Sequence, residues 1–225
     1  MEKKSVSLTQ CEDEIEEALI SLEKSGKLYE ALTVYRNVEA EIEAVESSPG
    51  DLMYSQKQRV LAYCLMRQGN ILRQLGQMEE AAALSQREIT AAIASNDEIT
   101  LARSLMSHGT SLLASGDVEK GLQFIDKARP LFEKGKTYDH KQGLGWYWIL
   151  KADLINAGIT AGTPLEVVKA CDEALAVLLP IKNWPGVARA YEARAKAYER
   201  QGKHEKAAVD RKAQVKYEHL ASADE

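Results

Sequence analysis

The chain has 225 residues, 45% of them hydrophobic and 28% charged, with three cysteines and a formal net charge of −5. That length can bury a substantial core, and with this apolar content a disordered chain is not expected. A net acidic protein without a basic stripe cannot displace the counterions of a phosphate backbone, so no nucleic-acid partner is expected.

Along the chain, MEKKSVSLTQCEDE carries lysines with no apolar run behind them, and nowhere do 18 apolar residues follow one another; no secretion signal and no membrane span are expected. Ala, Leu, Glu, Lys, Gln and Arg, the residues that lose least on entering a helix, outnumber the two Phe and five Pro, and predict an all-α protein. The first helix is predicted near 8–25. Thr9 with Glu12 forms its expected capping box, and EDEIEE at 12–17 an acidic first turn that complements the helix N-terminus. Gly26 in EKSGKLYEAL breaks it from a second helix near 27–47, which SSPGD at 47–51 closes. A third helix near 51–75 and a fourth near 77–95 meet at Gly76 in RQLGQMEEAAAL. Ser95 with Glu98 opens the fifth, near 97–115, and Gly116 in LASGDVEKGL parts it from the sixth, near 117–135. The seventh, near 138–160, and eighth, near 163–181, come from GWYWILKADLINAGITAGTPLEVVKACDEAL, where Thr163, Pro164 and Glu166 mark a helix start. The ninth and tenth, near 185–201 and 203–220, flank Gly202 in ERQGKHEKAA.

Superposing Gly26, Gly76, Gly116 and Gly202 brings the apolar positions into register. Leu65, Gly69 and Leu72 precede Gly76, and Met78 and Ala81 follow it; Leu105, Gly109 and Leu112 precede Gly116, with Val118 and Gly121 after; Tyr191, Ala195 and Tyr198 precede Gly202, with His204 and Ala207 after. The first unit matches less tightly through Ile15, Leu19, Leu22, Leu28, Ala31 and Tyr35. Intervals of three and four place these residues on one face of each helix, with small residues at 69, 109 and 195 where a neighbouring backbone approaches. Each glycine supplies the left-handed residue that ends a first helix. The unit is therefore a pair of antiparallel helices.

Leu65, Gly69, Leu72 and Ala81, then Leu105, Gly109, Leu112, Gly121, Ile125 and Ala128, then Tyr191, Ala195, Tyr198 and Ala207 resemble the tetratricopeptide repeat pattern. Trp148, Ala152, Ile155, Val167, Cys171 and Ala174 supply a fourth such unit. The glycines Gly76 and Gly116 are about 40 residues apart rather than the family's 34, a period similar to that of kinesin light chains and of peptide-sensing bacterial regulators. The resemblance implies a right-handed α-solenoid of about five repeats and ten helices, one domain over 1–225 with hairpins near 8–47, 51–95, 97–135, 138–181 and 185–220.

No catalytic constellation, cofactor motif or metal-ligand spacing appears, and an enzyme is not expected. Cys11, Cys64 and Cys171 form no CxxC pair, which points to a reducing, cytoplasmic setting without disulfides. Cys171, His108 and His204 fall at helix-packing positions.

The resemblance implies that the first helices line a concave groove and that a protein or peptide lies in it. The matching positions are Tyr63, Met66, Asn70 and Arg73; Arg103, Met106 and Thr110; Trp146, Ile149, Asp153 and Asn156; and Arg189, Glu192, Lys196 and Glu199. The first unit contributes Asp13, Glu16, Ile20 and Glu23. A chaperone-type carboxylate clamp is not expected, since Met66 stands where its lysine belongs. A regulator that senses a small peptide or molecule is the alternative to an interaction module. Residues 1–50 carry twelve acidic against five basic side chains and residues 186–220 nine basic against five acidic, so self-association of unlike ends competes for the same surfaces.

Overall fold

The structure, a computed structural model, describes residues 7 to 223. Among these it contains ten α-helices and no strand: α1 (Leu8–Ala18, continued by a π turn over Leu19–Glu23), α2 (Leu28–Ala44), α3 (Leu52–Gln74), α4 (Met78–Ser95), α5 (Glu98–Ala114), α6 (Val118–Glu133), α7 (Tyr138–Asn156), α8 (Pro164–Leu178), α9 (Trp184–Arg200) and α10 (His204–Ala223). The fold class is all-α, built of antiparallel hairpins. Two compact units divide the chain, one up to Ala128 and one from Arg129, with α6 beginning in the first and ending in the second.

Five turns share one chemistry. Gly26, Gly76, Gly116, Gly158 and Gly202 have φ of 76°, 76°, 93°, 71° and 69°. At each, the glycine N–H returns to a carbonyl three residues back and the following N–H to one five residues back, as in Gly76 to Arg73 at 3.1 Å and Gln77 to Leu72 at 2.8 Å. These bonds satisfy the last carbonyls of the first helix and reverse the chain within two residues. Gly158 completes the set that the sequence shows at four positions; there the next helix waits for Thr163, whose hydroxyl and backbone N–H both engage Glu166.

Two expected caps move. Ser7, not Thr9, caps α1 with Gln10 as its reciprocal partner, so EDEIEE lies beyond the first turn rather than in it. Asp97, not Ser95, caps α5, because its carboxylate accepts from Thr100 N–H at 2.7 Å while Ser95 bonds back to the Ala92 carbonyl.

The π turn explains the weak match of the first unit. Lys24 N–H bonds to the Leu19 carbonyl at 3.0 Å, one residue further back than in an α-helix. The inserted residue rotates the last turn of the helix, so Ala18 is buried beside Ile15 while Leu19 and Leu22 are half-buried.

In the first unit Ile15, Ala31, Tyr35, Ile42, Leu65, Ile71, Leu72 and Ala81 belong to one apolar core shared by α1 to α4. Gly109 and Gly121 join α5 to α6: a Cβ at Gly109 would stand 2.6 Å from the Gly121 carbonyl oxygen. Gly69 does not work this way, since a Cβ there would meet just the Arg73 guanidinium, at an ordinary 3.6 Å. In the second unit α7, α8 and α9 pack through Ala152, Val167, Cys171, Ala193 and Ala197, and through Ala174, Leu178, Val187 and Ala190.

Candidate functional site

In the first unit α3 lies between α1 and α5, so three first helices stand side by side. Tyr63, Met66, Asn70 and Arg73 of α3 and Arg103, Met106 and Thr110 of α5 are all half-buried. From α1, Glu16 and Ile20 are exposed on the same side, and Tyr63 Oη donates to Glu16 Oε1 at 2.7 Å. Burial and this carboxylate together raise the Tyr63 pKa, which keeps the phenol a donor.

Arg67, unmarked by the repeat pattern, forms the tightest ion pair of this face. Its Nε donates to Glu23 Oε2 at 3.1 Å and its Nη2 to Glu23 Oε1, while Tyr35 Oη donates to the same carboxylate at 2.9 Å. The pair fastens α3 to the end of the π turn.

Arg73 is differently placed. Nη1 donates to Ser111 Oγ at 2.6 Å and Nη2 to Asn70 Oδ1, both neutral acceptors. Among the described residues it forms no ion pair, and burial lowers its pKa against the attraction of Glu88. Glu88, on α4, is fully buried. Oε2 accepts from Ser107 Oγ at 2.8 Å, Oε1 has no partner, and burial pushes the carboxyl up to about 8 despite Ser107, Ser104 and Arg73. At neutral pH the carboxyl is therefore mostly protonated, and the Arg73 charge is left largely uncompensated. Glu88 lies seven residues after Ala81, an inward position of α4; that spacing is the signal by which the sequence would have disclosed it.

The second unit holds the other predicted positions. Ile149 is 2% exposed, inside the apolar core, and offers no surface to a ligand. It lies close to the inward positions 148 and 152 of its helix, and a helix face is too broad for the repeat pattern to separate such neighbours. Trp146 is half-buried against the same core, Tyr147 is buried, and Trp148 carries the Arg129 guanidinium 4.7 Å from its ring centre. Arg189 Nη2 donates to Asp153 Oδ2 at 2.8 Å and Nη1 to Glu192, and Lys196 holds the same Glu192 at 2.7 Å. Burial raises the Asp153 pKa against Arg189; for Glu192, Lys196 and Arg189 outweigh burial and lower it. Asn156 Nδ2 donates to the Ala193 carbonyl at 3.0 Å and leaves its own Oδ1 unpartnered. Arg189 and Lys196, the predicted cations of this unit, are thus already answered by carboxylates, which distinguishes them from Arg73.

His108 is buried, with Nδ1 2.9 Å from Ser85 Oγ and its ring edge-on to Phe124 at 4.6 Å, and burial lowers its pKa. His204 departs from expectation: it opens α10 and is exposed, because the packing register of that helix begins at Ala207. Cys171 is buried among α7 to α9, its thiol pushed up to about 12. No helix among the described residues is long and apolar enough to cross a membrane.

No protein-family model matches the chain, and no curated protein matches it in sequence. Solved structures do match in fold. The chain is similar to BtubC (BKLC) from P. vanneervenii, with a TM-score of 0.62 and 12% identity over 96% of this chain and 91% of that one. It is also similar to a Podosopora anserina kinesin light chain of nearly identical TPR-like repeats, with a TM-score of 0.59 and 15% identity over 98% and 99%. At such identities the likeness is one of fold.

Proposed function

We propose that this chain, whose fold is that of the TPR-like repeat proteins, is a non-catalytic interaction module, and that the α1, α3 and α5 face of its first unit binds a segment of another protein. The observation that carries this reading is Arg73. A half-buried guanidinium bonded to neutral acceptors alone retains the capacity to pair with a carboxylate, and Met66, two turns earlier on the same helix, and Met106, on the adjacent α5, are half-buried residues of a type that fits varied apolar side chains. The occupant is accordingly a peptide or helix with an acidic residue next to an apolar one. Tyr63 and Arg103 border the same surface, and residues of this kind supply much of the energy at protein interfaces.

Selection of peptides from a displayed random library tests this. Peptides pairing an acid with an apolar anchor should be enriched, and Arg73→Gln should weaken them about tenfold or more, the worth of roughly 1.4 kcal/mol. Met66→Ala combined with Met106→Ala should abolish capture with helicity intact. Enriched peptides that bind all these variants as well as the parent would move the site elsewhere.

A further inference from the structure

Within each unit the second helix of a hairpin packs on the first helix of the next: α2 on α3, α4 on α5, and α8 on α9. Among the described residues α10 is a second helix with no follower, and α1 is a first helix with no predecessor. The surfaces so left open have definite chemistry.

On α10, Ala207 and Asp210 are buried against α9, where Asp210 takes two bonds of 2.8 Å from Arg194. The opposite face presents Ala208, Val209, Lys212, Val215 and Lys216, with Val209 and Val215 65% and 64% exposed. Lys212 has no acidic partner among the described residues. Glu205, at the start of the helix, is the one acidic group on this stripe.

Between α1 and α2 lies a groove of about 240 Å³, floored by Ala18, Leu22 and Val34 and edged by Glu14, Glu17 and Ser21. Glu41 stands close enough to raise the Glu14 pKa, after burial and ahead of Glu17. None of these three carboxylates has a cation partner among the described residues. Unpaired carboxylates crowded beside an apolar floor leave a repulsion that lysines and small aliphatic side chains would relieve together.

We infer that the α10 face of one molecule docks on the α1–α2 groove of a second copy of this chain. Lys212 and Lys216 meet Glu14, Glu17 and Glu41, and Val209 and Val215 cover Leu22 and Val34. The contact repeats between molecules the packing of second helix on first helix that each unit already uses. It joins unlike surfaces, so each molecule keeps one free copy of each face, and association is open-ended unless the rotation closes a ring. The occupant is a second copy rather than an unrelated basic helix because both complementary faces are present on this one chain, in the order that hairpin stacking requires.

Sedimentation velocity on the purified full chain is the test. At about 0.02 M salt the weight-average mass should exceed the monomer and rise with concentration. At about 0.5 M it should return to the monomer, since screening then acts within a few ångströms. Lys212→Glu with Lys216→Glu should weaken association at least tenfold, as should Glu14→Lys with Glu17→Lys; mixing the two variants should restore it, because each then offers the charge the other lacks. Circular dichroism of each variant establishes that it is folded. A monomer at every concentration and salt leaves these faces to a different protein and overturns the inference. Association that survives both reversals, or that mixing fails to rescue, overturns the pairing of these two faces.

Discussion

Glu88 shows how much a single residue can set in this protein. Burial raises its carboxyl from an ordinary 4.5 to about 8, so the folded chain binds a proton that the unfolded chain releases. Between these two values the folded state holds more protons than the unfolded one, and stability falls as pH rises from about 4.5 to about 8, then levels. Glu88→Gln, neutral at all pH and able to keep the Ser107 contact, should remove this decline and raise stability near pH 8.5 by about 2 kcal/mol. Urea denaturation of both proteins at pH 5 and pH 8.5 reads it out; parallel losses in parent and variant would assign the pH dependence to other groups. The same substitution should leave Arg73 without the attraction of the Glu88 carboxylate at every pH. Glu88 was only half legible in the sequence. Its spacing from Ala81 marks an inward position, but how far burial shifts its carboxyl depends on the serines of α5 and the arginine of α3 that oppose the shift. No interval along one helix contains that information.

At the scale of the element, the glycines separate by what surrounds them. Gly76 has φ of 76° and nothing near the site of a Cβ, so Gly76→Ala should cost about 1 to 2 kcal/mol of backbone strain and no packing. Gly109 has helical geometry but meets the Gly121 backbone, and Gly109→Ala must push α6 from α5, at a cost of about 1 to 3 kcal/mol. Gly69, with the same motif position as Gly109, should tolerate alanine or gain from it, by up to about 1 kcal/mol of helix propensity. Denaturant midpoints of the three variants decide this, and a large loss at Gly69 would contradict the open space beside it. The helix count and the left-handed turns were readable because period, cap and break agree at each hairpin. The π turn was not: one inserted residue changes no composition, and shows only as a poor match of Leu19 and Leu22 to the pattern. Caps were ambiguous where two eligible residues lie within a turn of each other, as with Ser95 and Asp97, since either side chain can reach an orphan N–H until the backbone fixes one.

At the scale of the molecule, the charge division between the two ends of the sequence takes on a physical consequence. Side-chain pairs quench part of it: Glu12 is held by Arg59 at 2.5 Å, Glu23 by Arg67 and Asp210 by Arg194. Among the charges without an ion pair in the described residues are Glu14, Glu17 and Glu41 at one end and Lys212 at the other, which lie on the two hairpin faces that have no neighbour among those residues. Assembly through them predicts a mass that depends on both salt and concentration, and small-angle scattering at low salt should show a growing longest dimension if the contact is open-ended. A fixed dimension with a fixed mass would instead mark a closed ring. By itself the sequence determined the helices, their pairing into hairpins and the faces they bury, because each follows from local periodicity and from the conformational freedom of glycine. Only the tertiary structure decided which charges are satisfied. Arg73 and Arg189 occupy predicted binding positions alike, and each has a partner three residues away on its own helix, Asn70 and Glu192; the partner from the neighbouring helix is the Ser111 hydroxyl in one case and the Asp153 carboxylate in the other, 38 and 36 positions away and brought into contact by packing alone.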